Sequence, residues 1–204
     1  MMKVIFIKVN IKMYTLSKWI SRVCAVGYTV WYVMRWKNKL IPDMFFRKFE
    51  EIDANGIKEK GIKYIIIDKD NTITLSLELK VYNGEIAKKI NEMKKIFGKR
   101  NIAVVSNSIY DKRQKNFKLV SDNIGLTILE HKKPKPFIKK EVCNYFRINE
   151  DDSNKVAIIG DRVLVDVLTA RYNSFYSVLV NPISVKKESI LIKLIRKYEN
   201  KYKF

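Results

Sequence analysis

A chain of 204 residues with 47% hydrophobic content, seven Gly and four Pro has material for one core of ordinary size and few long loops, which argues against a second full domain. Two cysteines, Cys24 and Cys143, and a single histidine, His131, exclude a disulfide framework and a multi-histidine metal site, and leave Ser-His or Cys-His nucleophile schemes only one candidate base. The formal charge of +20 suits nucleic acid, an anionic membrane or a multiply phosphorylated substrate, and charge alone does not choose among them.

Residues 1–42 hold eight Lys or Arg and no Asp or Glu, with Trp19, Tyr28, Trp31, Tyr32 and Trp36 interleaved. The longest uncharged run, Val23 to Met34, has twelve residues, short of the roughly 20 that a spanning helix needs. Three readings stay open for this stretch: an organelle-targeting segment, an in-plane interfacial anchor, or the first core helix. Leu40-Ile41-Pro42-Asp43 breaks the pattern, so the division expected is 1–42 as a basic apolar leader and 43–204 as the folded domain.

Phe45 to Gly61 reads as a short helix or loop leading into Tyr64-Ile65-Ile66-Ile67, an apolar β-branched run that predicts a strand buried on both faces. That strand delivers Asp68 and Asp70 to its C-terminal edge, where open α/β sheets place their chemistry. Ile73 to Tyr82 alternates weakly and predicts a small hairpin or flap ending at Asn83-Gly84. Ile86, Ile90, Met93 and Phe97 recur at helical spacing, so 84–97 is a one-sided helix.

Ile102 to Val105 is a second buried strand, with the polar tip Ser106-Asn107-Ser108. A polar helix over 111–122 and a short strand over 126–129 follow, running into His131-Lys132-Lys133-Pro134-Lys135-Pro136. A helix over 137–146, a strand over 155–160 tipped by Asp161, a helix over 163–172, a strand over 177–180 and an amphipathic helix over 184–202 complete the chain. Strands alternating with helices predict a parallel sheet covered by helices on both faces.

In a parallel sheet all the strand tips lie on one edge, so Asp68 and Asp70, Ser106, Lys133, and Asp161 with Asp166 can converge. Clustered carboxylates repel, and one has its pKa raised unless a cation sits among them. Oxygen-only donors point to a hard divalent ion, Mg²⁺ foremost. A metal and a lysine balancing the charge let a phosphate dianion approach a carboxylate nucleophile, which is the setting for phosphoryl transfer through an aspartyl-phosphate.

Asp68-Lys69-Asp70-Asn71-Thr72, Ser106, Lys133-Pro134 and Gly160-Asp161-Arg162 through Asp166 resemble, in order and spacing, the four motifs of the haloacid dehalogenase (HAD) superfamily. The resemblance implies a HAD-like Rossmannoid three-layer sandwich with a mainly parallel sheet. By the same resemblance Asp68 is the nucleophile and Asp70 the general acid and base, with Thr72 supporting their loop. Ser106, Asn107 and Lys133 hold the phosphoryl oxygens, Asp68, the Asp70 carbonyl and Asp161 bind Mg²⁺, and Asp166 is an accessory acid. With Gly61-Ile62-Lys63 and the His131-Lys132-Lys133-Pro134 run, the chain is similar more narrowly to the phosphatidylglycerophosphate phosphatases of mitochondria and plastids and their bacterial relatives.

Only 35 residues separate Asp70 from Ser106 and 26 separate Ser106 from Lys133, which leaves no room for a large cap domain. An open site suits a headgroup presented by a bilayer or a phosphorylated macromolecule, and the basic N-terminus favours the bilayer. The expectation is therefore an enzyme acting on an anionic phospholipid at a membrane surface, at the matrix face of the mitochondrial inner membrane or in a plastid, with no nucleic-acid partner. Two alternatives stand beside it: a phosphatase for phosphoproteins or small metabolites, and a non-enzymatic lipid- or nucleic-acid-binding module on the same scaffold.

Overall fold

The computed structural model describes residues 37–107, 117–186 and 188–202, together with the isolated positions 27, 30, 31 and 35. The expected leader 1–42 and the first part of the expected 111–122 helix therefore lie largely outside the described residues. Among the described residues no helix is long and apolar enough to cross a membrane.

The core is a six-stranded sheet in which every pairing is parallel. Its strands are β1 (Met44–Phe46), β2 (Tyr64–Asp68), β3 (Ile102–Val105), β4 (Thr127–Ile128), β5 (Val156–Gly160) and β6 (Tyr176–Val180), in the order β1-β6-β5-β2-β3-β4. The helices are α1 (Ala54–Glu59), α2 (Gly84–Phe97), α3 (Phe117–Ile124), α4 (Lys139–Phe146), α5 (Leu168–Asn173) and α6 (Ile190–Glu199).

Because side chains alternate along a strand, the central isoleucines divide between two cores. Ile65 and Ile67 pack with α1, α2 and α3 through Ile57, Ile86, Ile90, Met93, Val120 and Ile124. Ile66 faces the other layer, with Val142 and Phe146 of α4 and Ala170 of α5. This is the three-layer α/β arrangement expected, and among the described residues no large cap interrupts it. Helix α2 buries Ile86, Ile90, Met93 and Phe97, each contributing roughly 2 kcal/mol of gross hydrophobic stabilisation. Asn83 caps its start by accepting from the Ile86 N–H at 2.9 Å, and Gly98 ends it at φ +85°.

Several elements differ from the sequence-based expectation. The segment read as helix or loop opens with β1, only three residues long, paired to β6 in the register Met44 to Val178. Asp43 secures that edge: its Oδ2 accepts from the Ser177 N–H at 2.8 Å and the Ser177 hydroxyl at 2.6 Å, and Arg171 grips both of its oxygens. The packed domain also starts before residue 43, since Leu40 is fully buried against Val163, Leu168 and Leu179.

No hairpin forms over 73–82. The stretch is a turn-rich loop anchored by the Tyr82 N–H on the Ile73 carbonyl at 2.9 Å. The helix expected over 163–172 is split into a single π turn, Val163–Val167, and α5. The last helix is shorter than expected, and its inward stripe contains buried Arg196 and Glu199. Ile190, Leu191 and Leu194 of the predicted apolar side are left exposed.

Candidate active site

Strand β2 ends at Asp68, and the chain turns at once. Asn71 takes φ +62°, a left-handed conformation that Asn tolerates better than most residues. The turn is closed by backbone bonds from Asn71 N to Thr74 O at 2.8 Å and from Ile73 N to Lys69 O at 3.1 Å. Lys69 folds back beneath it and is completely buried. Its Nζ donates to Asp70 Oδ1 at 2.7 Å and to the Glu78 carbonyl at 2.9 Å, so one buried cation joins the acidic turn to the following loop.

Asp70 is held from three directions. Besides Lys69, the Leu77 N–H donates to Oδ1 at 2.8 Å and the Ser106 hydroxyl donates to Oδ2 at 2.9 Å. Leu77 presents that N–H from φ +64°, an unfavourable conformation for a bulky side chain and one that the surrounding loop must impose. Ser106 stands at the tip of β3 as expected, and the structure joins it directly to Asp70. Thr72 does not hold the turn by its side chain, because its buried Oγ1 has no hydrogen-bond partner. Lys69 and Thr74 do that work, with the Thr74 hydroxyl lying 2.9 Å from the Leu75 carbonyl and 3.2 Å from the Lys69 carbonyl, either of which can accept its proton.

The expected lysine is displaced by two positions. Lys133 is exposed, whereas Lys135 is buried and its Nζ lies 2.6 Å from both Asp68 Oδ1 and Asp166 Oδ1. Asn107 orients the turn by accepting the Lys135 N–H on Oδ1 at 2.9 Å, and His131 bridges the carbonyls of Ser106 and Lys133. Four lysines share residues 132–139, and the sequence does not distinguish them by type. Only Lys135 lies between two prolines, Pro134 and Pro136, both buried in the fold.

Asp161 follows β5 directly, and the π turn after it brings Asp166 back beneath the same edge. Asp166 Oδ2 accepts from the Arg162 N–H at 3.1 Å, closing this loop on itself. Asp68, Asp161 and Asp166 are all buried, and each offers a carboxylate oxygen within 4.8 Å of the others. Asp166 thus stands inside the cluster, where an accessory role had been expected. Asp161 is also gripped by Arg196 of α6, which donates to Oδ2 at 2.5 Å and to its carbonyl at 3.1 Å. Neither Arg196 nor Lys69 figures among the residues expected from the sequence.

Burial dominates the electrostatics. It pushes the Asp68 carboxyl well above the usual carboxylate range, Lys135 pulls it back, and Asp166, Asp161 and Asp70 add to the rise. Burial likewise raises Asp161 to about 6 against the opposing pull of Arg196. Burial works against the Lys135 ammonium too, but Asp166 and Asp68 outweigh it and keep it charged. Three carboxylates here meet Lys135 and an Arg196 that is shared with Glu188, so the cluster stays short of positive charge when all three are ionised. An all-oxygen, buried donor set with surplus negative charge fits a hard divalent cation. An arrangement of this kind can accept an anion such as phosphate once that charge is neutralised, beside a carboxylate able to attack it.

The family model described as mitochondrial PGP phosphatase matches residues 25–184. A chloroplastic and mitochondrial phosphatidylglycerophosphate phosphatase 1 of Arabidopsis thaliana is 30% identical over 172 residues, 82% of this chain and 48% of the plant protein. The mitochondrial phosphatidylglycerophosphatase GEP4 of Saccharomyces cerevisiae is 28% identical over 125 residues, 59% of this chain and 67% of the yeast protein. The probable phosphatase YqeG of Bacillus subtilis is 28% identical over 148 residues, 72% of this chain and 81% of the bacterial protein. The match thus spans about half the length of the plant relative and more of the other two. No solved structure matches the chain.

Proposed function

The chain belongs to the mitochondrial PGP phosphatase family, and on that premise we propose that it hydrolyses phosphatidylglycerophosphate to phosphatidylglycerol and inorganic phosphate. The observation that carries this reading is the buried Asp68–Lys135–Asp166 cluster, set with Asp161 at a sheet edge that no inserted domain covers among the described residues. A site without a cap is open to a phosphate that stays attached to a bilayer.

In this reading Asp68 attacks the phosphorus and the bond to the lipid glycerol oxygen breaks. Asp70 supplies the proton that the departing alkoxide needs, then takes one from the water that cleaves the aspartyl-phosphate. Its carboxylate is already oriented for both steps by Lys69, Leu77 and Ser106. Lys135 stays an ammonium throughout and offsets charge on Asp68, Asp166 and the incoming phosphate. Ser106 and Asn107 flank the same edge; the Asn107 amide nitrogen is the donor proposed for a phosphoryl oxygen, since its Oδ1 is held by the Lys135 N–H, and the Ser106 hydroxyl would reach one only by releasing Asp70.

Asp68, Asp161 and the Asp70 carbonyl would hold Mg²⁺, with Asp166 adjoining. When bound, the ion supplies the positive charge that the three buried carboxylates lack. Relatives named as mitochondrial or chloroplastic support a location in one of those organelles, and the matrix face of the inner membrane is the site proposed.

The deciding assay measures phosphate release from phosphatidylglycerophosphate in vesicles against release from soluble phosphomonoesters. Release from the lipid is expected, lost in Asp68→Asn and lost on chelation of divalent ions. Turnover confined to soluble sugar, nucleotide or protein phosphates would overturn the lipid assignment. Absence of any metal-dependent turnover would leave a binding module on this scaffold. A readout independent of turnover is thermal stability: Mg²⁺ should raise the melting temperature of the parent and not that of Asp161→Asn.

A further inference from the structure

Helix α6 is amphipathic, but it is turned with its apolar stripe outward. Ile190, Leu191 and Leu194 are 79%, 67% and 60% exposed. The opposite stripe holds Arg196 and Glu199, both buried in ion pairs. Arg196 binds Asp161 and Glu188, while Glu199 accepts from the Arg162 guanidinium and the Leu164 N–H. These polar contacts tie the helix to the acidic edge of the sheet, and they hold its orientation so that three adjacent aliphatic side chains face away from the core. Such a contiguous exposed patch calls for a partner.

The patch adjoins the candidate active site. The Ile183 N–H donates to the Asn71 carbonyl at 2.9 Å, and Asn71 Nδ2 donates to Glu188 at 2.9 Å, so the approach to α6 is pinned to the acidic turn itself. Between them lies a cleft of about 340 Å³, lined by Asn71, Leu75, Tyr82, Ile183 and Lys186 among others.

Charge selects the occupant. Lys186, Lys193, Lys197 and Lys201 are exposed on and around α6. The acids of the segment, Glu188 and Glu199, are turned inward into the ion pairs described above. A second copy of the same face would set lysines against lysines. Residues 1–42, with eight basic and no acidic residues, would repel it as well. An apolar stripe flanked by lysines matches the interface of an anionic bilayer, with aliphatic groups among the acyl chains and ammonium groups at the headgroups.

We propose that α6 is a membrane-docking helix that seats Ile190, Leu191 and Leu194 in an anionic bilayer and so presents the Asp68 edge to lipid phosphates. The proposal rests on the reading of the site as a lipid phosphatase, and it assigns the element that brings enzyme and substrate together.

The test compares the full chain with a triple variant, Ile190→Ser, Leu191→Ser and Leu194→Ser, in sedimentation with vesicles of roughly equimolar phosphatidylcholine and phosphatidylglycerol. These side chains are exposed, so the fold should survive, and circular dichroism together with turnover of a soluble aryl phosphate checks that it does. The expected result is a loss of partitioning of roughly tenfold or more with soluble turnover unchanged. Lys193→Glu with Lys197→Glu should reduce binding to the anionic vesicles specifically. Undiminished partitioning of the triple variant would overturn the proposal and leave docking to another part of the chain. A parent that self-associates while the triple variant does not would overturn it in favour of a contact between copies. Failure of the parent to turn over any phosphomonoester would instead sink the phosphatase reading, whatever the vesicle result.

Discussion

Arg196 Nη2 lies 2.5 Å from Asp161 Oδ2, so a side chain from the last helix closes the acidic edge formed some 35 residues earlier. The same guanidinium donates to both oxygens of Glu188, whose Oε1 also accepts from Asn71 in the acidic turn. One cation thus links β5, α6 and the turn after β2.

Removing it should be felt in both stability and activity. Arg196→Ala leaves Asp161 and Glu188 as buried or half-buried carboxylates without their cation, at a cost of about 3 kcal/mol. Urea denaturation should show that loss. Arg196→Lys keeps the charge but not the forked contact, so it should recover only part of it. Equal stability of all three proteins would mean that the pairing contributes nothing.

Two of the lysines in the 132–136 turn, Lys135 and Lys133, make opposite predictions. Lys135→Ala should lower phosphate release roughly 100-fold, because Asp68 and Asp166 then face each other without their shared ammonium. Lys133→Ala removes an exposed side chain and should stay within about twofold of the parent. Initial rates on a soluble aryl phosphate separate them, with circular dichroism to show that each variant is folded. The reverse order of effects would restore the assignment to Lys133.

Gly160 is a steric requirement. A Cβ at this position would overlap the Asp166 carboxyl, which packs directly over the Gly160 backbone. Gly160→Ala should push Asp166 out of the cluster, weakening its bond to Lys135 and lowering turnover by at least tenfold. Isothermal titration with Mg²⁺ should show weaker binding than in the parent. An alanine variant with parental turnover and parental Mg²⁺ affinity would mean that Asp166 contributes nothing from its present place.

What was legible in the sequence was what repeats or runs on. The unbroken aliphatic runs before Asp68 and Asp161 were legible as strands of a parallel sheet with a shared edge, and the structure adds that the two strands are neighbours. Strand β1 was not legible, because three half-buried residues carry no period, and its hold on the sheet comes from Asp43 and Ser177. Lys135 was missed because which lysine of the run turns inward is set by packing around Pro134, Pro136 and Asn107. Helix α6 was legible as amphipathic, but its facing was not. A charged residue with a buried partner can be the inward one, and Arg196 finds that partner only through Asp161 on a distant strand.

The Asp43 clamp gives a prediction in pH. Burial pushes the Asp43 carboxyl up, but hydrogen bonds from Arg171 and Ser177 outweigh burial and hold it below its usual value of 3.8. A carboxyl with a depressed folded value binds its proton more weakly in the native state than in the unfolded chain, so its stabilisation is fully present above that usual value and drains away as the pH falls through the folded one. Asp43→Asn keeps the shape but loses the charged grip on Arg171 and an acceptor for Ser177, and should cost about 1–2 kcal/mol at neutral pH. The gap between parent and variant should therefore hold steady from neutral pH down to about 4 and narrow below it. Urea unfolding at a series of pH values measures the gap directly. A gap that changes between pH 7 and pH 5 would place the titration on some other group and remove Asp43 from the account of how β1 is held.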